Sequence, residues 1–223
     1  IKGETRKQEE GKHLLNDATK LLTMMQKQKL LRLGIVARIL PAYSNDDDEI
    51  IIQRDGQDFH LPMPRSLKDE AETHCLADYI ARPLQALQIS DCPCCQRPHR
   101  TDFICPFVVT AGIGIKELQD RFRSEGDEYH AIMVKLLADR LAEALAEYLS
   151  SELTSTLKWG SNNIRMAFGY GACPDHSLKQ QVFDILDVKA HLPLSLTETY
   201  MIDPGESICG LIFANTPLKY FNV

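Results

Sequence analysis

Residues 162–179 concentrate the groups in this chain that could hold a small ligand. Arg165 is the fixed cation of the run, Gly169 and Gly171 flank Tyr170, and Pro174, Asp175 and His176 lead into a helix start. Glycines on both sides of an aromatic ring let the backbone take positive φ or come close to a ligand. A guanidinium beside exposed amides and a ring suits a small zwitterion carrying a flat base. The plainer alternative is a loop whose Arg165 pairs with a nearby carboxylate. A second cluster, Cys92, Cys95, His99 and Cys105 with Cys94 as a spare, has zinc-like spacing. It contains only one C-x-x-C knuckle, and Cys105 falls inside an expected strand, so an exposed thiol loop competes with a metal site. Cys173 reads as a packed thiol and His176 as a helix-start hydrogen-bonding group.

Elements must position these groups. Apolar residues from Leu14 to Leu30 recur at a helical period, and residues 1–11 read as a flexible lead-in with the domain spanning 12–223. Residues 35–40 read as a strand closed by Pro41, and Asp55-Gly56 between β-favouring runs predicts a hairpin. Ser66 with Asp69 predicts a capped helix reaching Ile80. A strand over 103–110 is followed by a helix over 115–122, and the longest helix is expected over 127–153. Its apolar stripe runs through Ile132, Met133, Leu136, Leu137, Leu141 and Leu145, with alanines allowing close packing. On the other side Asp139, Glu143 and Glu147 form an acidic row, a solvated face or a docking surface. A helix over 177–186 precedes strands over 194–202 and 207–214, separated by the Asp203-Pro-Gly-Glu206 turn. Helices and strands mix without βαβ alternation, which predicts an α+β domain around an antiparallel sheet.

The bulk composition narrows the function. The 223 residues are 44% hydrophobic and 25% charged, with a net charge of −6. No basic stripe interleaved with aromatics is present, which argues against nucleic acid as a partner. No run reaches the roughly 18 to 20 apolar residues that span a bilayer. Seven cysteines with no signal-peptide core at the N-terminus predict reduced thiols and a cytoplasmic setting.

Several motifs then converge on one family. The helix run beginning Gly126-Asp-Glu-Tyr-His and ending Glu-Tyr-Leu149 resembles the reactivation domain of cobalamin-dependent methionine synthase. So do Trp159-Gly160, Ile164-Arg-x-Ala-x-Gly-Tyr-x-Ala-Cys-Pro-Asp-His176 and Leu196-Thr-Glu-Thr199. Leu76-Ala-Asp-Tyr79, Val109-Thr-Ala-Gly112, Pro204-Gly205, Ser207, Gly210 and Lys219-Tyr220 follow in the family's order. The resemblance implies a helmet- or C-shaped α+β domain that binds S-adenosylmethionine and docks on a cobalamin-binding partner domain. It implies that a flavodoxin-like donor reduces the inactive Co(II) cofactor, and that the methyl group of S-adenosylmethionine then restores methylcobalamin. By matching positions it places Asp78, Arg165, Ala167, Gly169, Tyr170 and Tyr220 on S-adenosylmethionine, and Asp139 and Glu143 on the cobalamin domain. The sequence departs from the family where prolines are usual, at Met166, Phe168 and Gly171. It also lacks most of a loop before Ile164 that carries an acidic ligand contact. The alternative function is a corrinoid-protein docking module that does not use S-adenosylmethionine, and the chain is either an excised domain or a free-standing relative acting in trans.

Overall fold

A computed structural model describes residues 2–66, 73–80, 102–157, 159 and 165–214. Its centre is the strand Asp102–Ile113, whose side chains are buried on both faces over most of its length. Two packed layers therefore meet on it, and alternation along the strand sorts its residues between them. Numbered in chain order, the strands are β1 (Arg32–Ala37), β2 (Leu40–Ser44), β3 (Glu49–Arg54), β4 (Gln57–Pro62), β5 (Asp102–Ile113), β6 (Arg165–Ala167), β7 (Ser195–Leu196), β8 (Ile202–Asp203) and β9 (Ser207–Phe213). The helices are α1 (Lys2–Lys27), α2 (Ile115–Ser124), α3 (Glu128–Leu157), α4 (Leu178–Leu186) and α5 (Val188–His191).

The main sheet runs β4-β3-β2-β5-β9-β6, with β1 also paired to β5, and every pairing is antiparallel. It curls into a half-barrel flanked by helices, an α+β fold. Ile104 and Val108 of β5, with Cys209, Leu211 and Phe213 of β9, face a core closed by α4 and α5. Cys105, Phe107 and Val109, with Ile212, face the other way, onto Ala146 and Leu153 of α3.

α3 differs from its expected burial. Ile132, Leu136 and Tyr148 are more than half exposed, while Val134, Ala138, Ala142 and Ala146 are buried. Small residues four apart let the helix backbone approach the sheet, so the alanine row, not the stripe of large side chains, makes the contact. The Asp55-Gly56 hairpin forms as expected, with φ of 52° and 83° at the two turn residues. Four expectations need correction. Residues 2–11 continue α1 and do not form a separate lead-in. Pro41 lies inside β2, tolerated because β3 pairs only from Ala42 onward. The strand expected over 194–202 folds back on itself as β7 and β8, because the Thr197 hydroxyl accepts the Met201 amide at 3.0 Å. The helix expected up to Ile80 is, in its described part, a 3-10 turn at Leu76–Tyr79, since Cys75 is extended and bridged to Arg65.

One staple ties α3 to the turn before β9. The Lys135 ammonium bonds the Glu206 carboxylate, which is only 8% exposed. Replacing Lys135 with Met leaves that carboxylate buried without its cation. The expected cost is about 1 to 3 kcal/mol, read as a fall of roughly 3 to 9 °C in Tm by thermal denaturation.

Candidate functional site

β6 is three residues long and pairs with β9 through Arg165↔Ile212, Met166↔Leu211 and Ala167↔Gly210. Met166 points into the core, which leaves Arg165 and Ala167 on the opposite face. The chain then turns over Gly169, at φ 97°. The Gly169 amide donates to the Cys173 carbonyl and the Cys173 amide to the Tyr170 carbonyl, both at 2.8 Å. Phe168 anchors this loop in the core at 1% exposure and leaves Tyr170 outside at 71%. Asp175 accepts the Ser177 amide at 2.8 Å and starts α4. At the far end of α4, Arg54 donates to the carbonyls of Asp184 and Ile185 and pins the helix to the β3–β4 hairpin.

Between these parts lies a cavity of about 320 Å³. Arg165, Ala167 and Tyr170 line it, with Glu143 from α3, His176 and Lys179 from the start of α4, and Met201, Ile202, Gly205, Ser207, Ile208 and Cys209 from the β7–β9 region. This is near the lower end of the size range of small-molecule sites, about 300 to 1,000 Å³. The Arg165 guanidinium stands 3.3 Å from the Glu143 carboxylate. Its pairing with a carboxylate was the plainer alternative for Arg165, and here the pair forms a cavity wall. A cation and an anion side by side match a ligand carrying a carboxylate and an ammonium.

Not every expected group gathers here. Glu143, assigned by resemblance to the cobalamin-domain face, lines the cavity. Asp139, one turn earlier, stands 3.9 Å from Lys135 and outside the cavity. Asp78 does not line it either; both of its carboxylate oxygens accept from Arg65, at 2.9 Å each, and it also accepts the Cys75 amide at 3.0 Å. Arg65 grips Asp48 as well, so Asp78 ties the 3-10 turn to the β3 side of the sheet. Gly169 shapes the loop without lining the cavity. Tyr220, Cys92, Cys95 and His99 lie outside the described residues. Cys105 is buried in β5 on the α3 side, where loss of solvent pushes its thiol up to about 12. Cys173 is likewise buried and pushed up to about 12, a packed thiol and not a nucleophile. Among the described residues no cluster of three His, Cys, Asp or Glu is placed to hold a metal. None of the helices described is long and apolar enough to cross a membrane.

Lys179 and Met201 were missed from the sequence. Lys179 left a signal: it is the one cation on an apolar helix face with Leu178, Val182, Phe183 and Leu186. Met201 left none, because its position depends on the β7–β8 fold-back.

The protein is an α+β half-barrel domain with an Arg–Glu walled cavity between its short edge strand and α3, a candidate small-ligand site. Comparison with known proteins gives the family. The model of the vitamin B12 dependent methionine synthase activation domain matches residues 1–223, and the chain belongs to that family. Among solved structures, one described as the MetH reactivation domain bound to AdoHcy is similar at 31% identity and a TM-score of 0.79. The match covers 96% of this chain and 68% of that one.

Proposed function

We propose that this chain binds S-adenosylmethionine in the Arg165–Glu143 cavity and, docked on a cobalamin-binding partner, presents its methyl group for remethylation of inactive cobalamin. The carrying observation is the 3.3 Å pair of Arg165 and Glu143 in a cavity that also holds Tyr170. The ligand carboxylate takes Arg165 bidentately, Glu143 turns to the ligand ammonium, and the Tyr170 ring covers the base. The bound AdoHcy of the similar structure supports the same ligand class here. The methyl group leaves a sulfonium, already an activated leaving group, and the partner's reduced cobalamin supplies the nucleophile. Residues of this chain therefore bind, orient and exclude water; none has to move a proton. A flavodoxin-like donor and the family's methyltransferase partner complete the system, and the four free thiols buried among the described residues suit a reducing cytoplasm.

Calorimetric titration with S-adenosylmethionine tests the reading directly. Saturable binding at one site supports it, and absence of heat at millimolar ligand removes it. Docking is tested separately. Asp139 stands outside the cavity, so Asp139→Lys is expected to leave ligand affinity within about threefold. The same change should weaken association with a cobalamin-binding module roughly tenfold at low salt. Unchanged association, measured by surface plasmon resonance, would make that helix face ordinary solvated surface.

A further inference from the structure

Lys179 is 5% exposed, sits on the buried side of α4 and lines the cavity. An ammonium so placed is costly unless something holds it. Its hydrogen-bond partner is Nδ1 of His176, at 2.6 Å. Burial lowers the Lys179 pKa, and the Cys209 thiol from β9 works weakly in the other direction. A lysine ammonium has three donors and no acceptor, so Nδ1 of His176 must accept and the ring proton must sit on Nε2.

The ring is held from another side as well. A Cβ built on Gly169 would lie 2.2 Å from Cε1 of His176 and 2.7 Å from each ring nitrogen. The imidazole edge therefore fills the space that a side chain at 169 would need. With Nδ1 taken by Lys179 and Cε1 against Gly169, Nε2 is the ring's remaining polar vertex. It has no hydrogen-bond partner among the described residues, and His176 lines the cavity. The other charged or titratable groups nearby are already accounted for. Asp175 caps the Ser177 amide, Arg165 and Glu143 hold each other, and Cys173 and Tyr170 belong to the loop itself.

We infer that Lys179 is a positioning residue: it locks His176 in its Nε2–H tautomer, and this N–H is the donor offered to the nucleoside part of the ligand. The inference rests on the S-adenosylmethionine reading. Arg165 and Glu143 satisfy the two ends of the ligand's amino-acid part. The acceptors left over are the ribose hydroxyls and the purine ring nitrogens, and His176 supplies the donor for one of them. Without Lys179 the two imidazole tautomers interconvert, and the donor is present only part of the time.

Two readouts test this. In protein labelled with 15N-histidine, long-range 1H–15N correlation spectra report the tautomer of His176 without any ligand. Wild type and Lys179→Gln, which keeps an N–H donor, should show Nε2–H; Lys179→Met should show both tautomers. In calorimetric titrations with S-adenosylhomocysteine, Lys179→Gln should stay within about threefold of wild type, and Lys179→Met should bind roughly tenfold more weakly. Should Lys179→Met fail to fold, a second pair decides. His176→Gln puts an amide N–H near the Nε2 position and should retain affinity, whereas His176→Asn puts it near Nδ1 and should lose it. A wild-type His176 protonated on Nδ1, or full affinity in both Lys179→Met and His176→Asn, overturns the inference. The Nε2–H pattern with no nucleoside affinity in wild type overturns the donor role together with the ligand reading, and leaves the tautomer lock standing.

Discussion

Replacing Arg165 with Ala should lower affinity for S-adenosylmethionine by about 2 to 4 kcal/mol, roughly thirtyfold to thousandfold in Kd. Two effects add. The ligand carboxylate loses a bidentate, charge-assisted contact in a partly desolvated cavity, where such bonds are strongest. Glu143, 3.3 Å from Arg165 in the present structure, then faces the incoming carboxylate without its counter-charge. The fold should be spared, because the Arg165 side chain is held to Glu143 at the cavity wall and takes no part in the core clusters around the sheet. Titration calorimetry measures the first effect, and an unchanged melting temperature checks the second. Wild-type affinity in the variant would remove Arg165 from the ligand and leave the pair a surface contact.

The second large effect comes from a residue with no side chain. Gly210 on β9 lies opposite Ala167 on β6, and a Cβ there would fall 2.0 Å from the Met166 carbonyl oxygen and 3.0 Å from its carbon. Both contacts are to backbone, so no rotamer change relieves them. Gly210→Ala should therefore push β6 off the sheet. The expected stability loss is about 3 kcal/mol or more, or roughly 6 to 12 °C in Tm. Ligand affinity should be lost along with it, since β6 carries Arg165 and Ala167 to the cavity. Gly210→Ser should behave the same way, because the obstruction begins at Cβ. A variant that keeps its melting temperature and its affinity would show that β6 can shift along β9 without cost.

The exposed large side chains of α3 add a consequence for docking. Ile132 and Leu136 are 52% and 56% exposed. Contrary to the expectation that the acidic row lies on the other side of the helix, their i, i+4, i+7, i+11 spacing puts them on the same face as Asp139 and Glu143. The buried alanines on the opposite side explain this: a helix packed close to a sheet through small residues turns its larger ones outward. Along this one face the acidic row divides by position on the helix axis. Glu143 belongs to the cavity with Arg165, and Asp139 belongs to the outer face beside Lys135.

What the amino-acid order determined by itself is local. Helical periodicity placed α2, α3 and α4 to within a few residues, and Asp55-Gly56 specified its hairpin, because both depend on short-range geometry. The Arg165–Tyr170 loop was legible as a candidate ligand loop from its glycines and its fixed cation, and the ordered motifs named the family. Tertiary structure alone decided which distant groups share a space. Glu143 and Arg165 are 22 residues apart and meet because β6 pairs with β9 at the sheet edge and α3 packs across the face that Ile212, the partner of Arg165, presents. Asp78 is held away from the cavity by Arg65, whose guanidinium bridges it to Asp48, a long-range pairing that no local pattern reports. Lys179, Met201 and Cys209 reach the cavity only through the β9 register and the β7–β8 fold-back. Burial and partner choice follow from the whole packed chain, since each charge goes to the partner that the packed chain brings within reach.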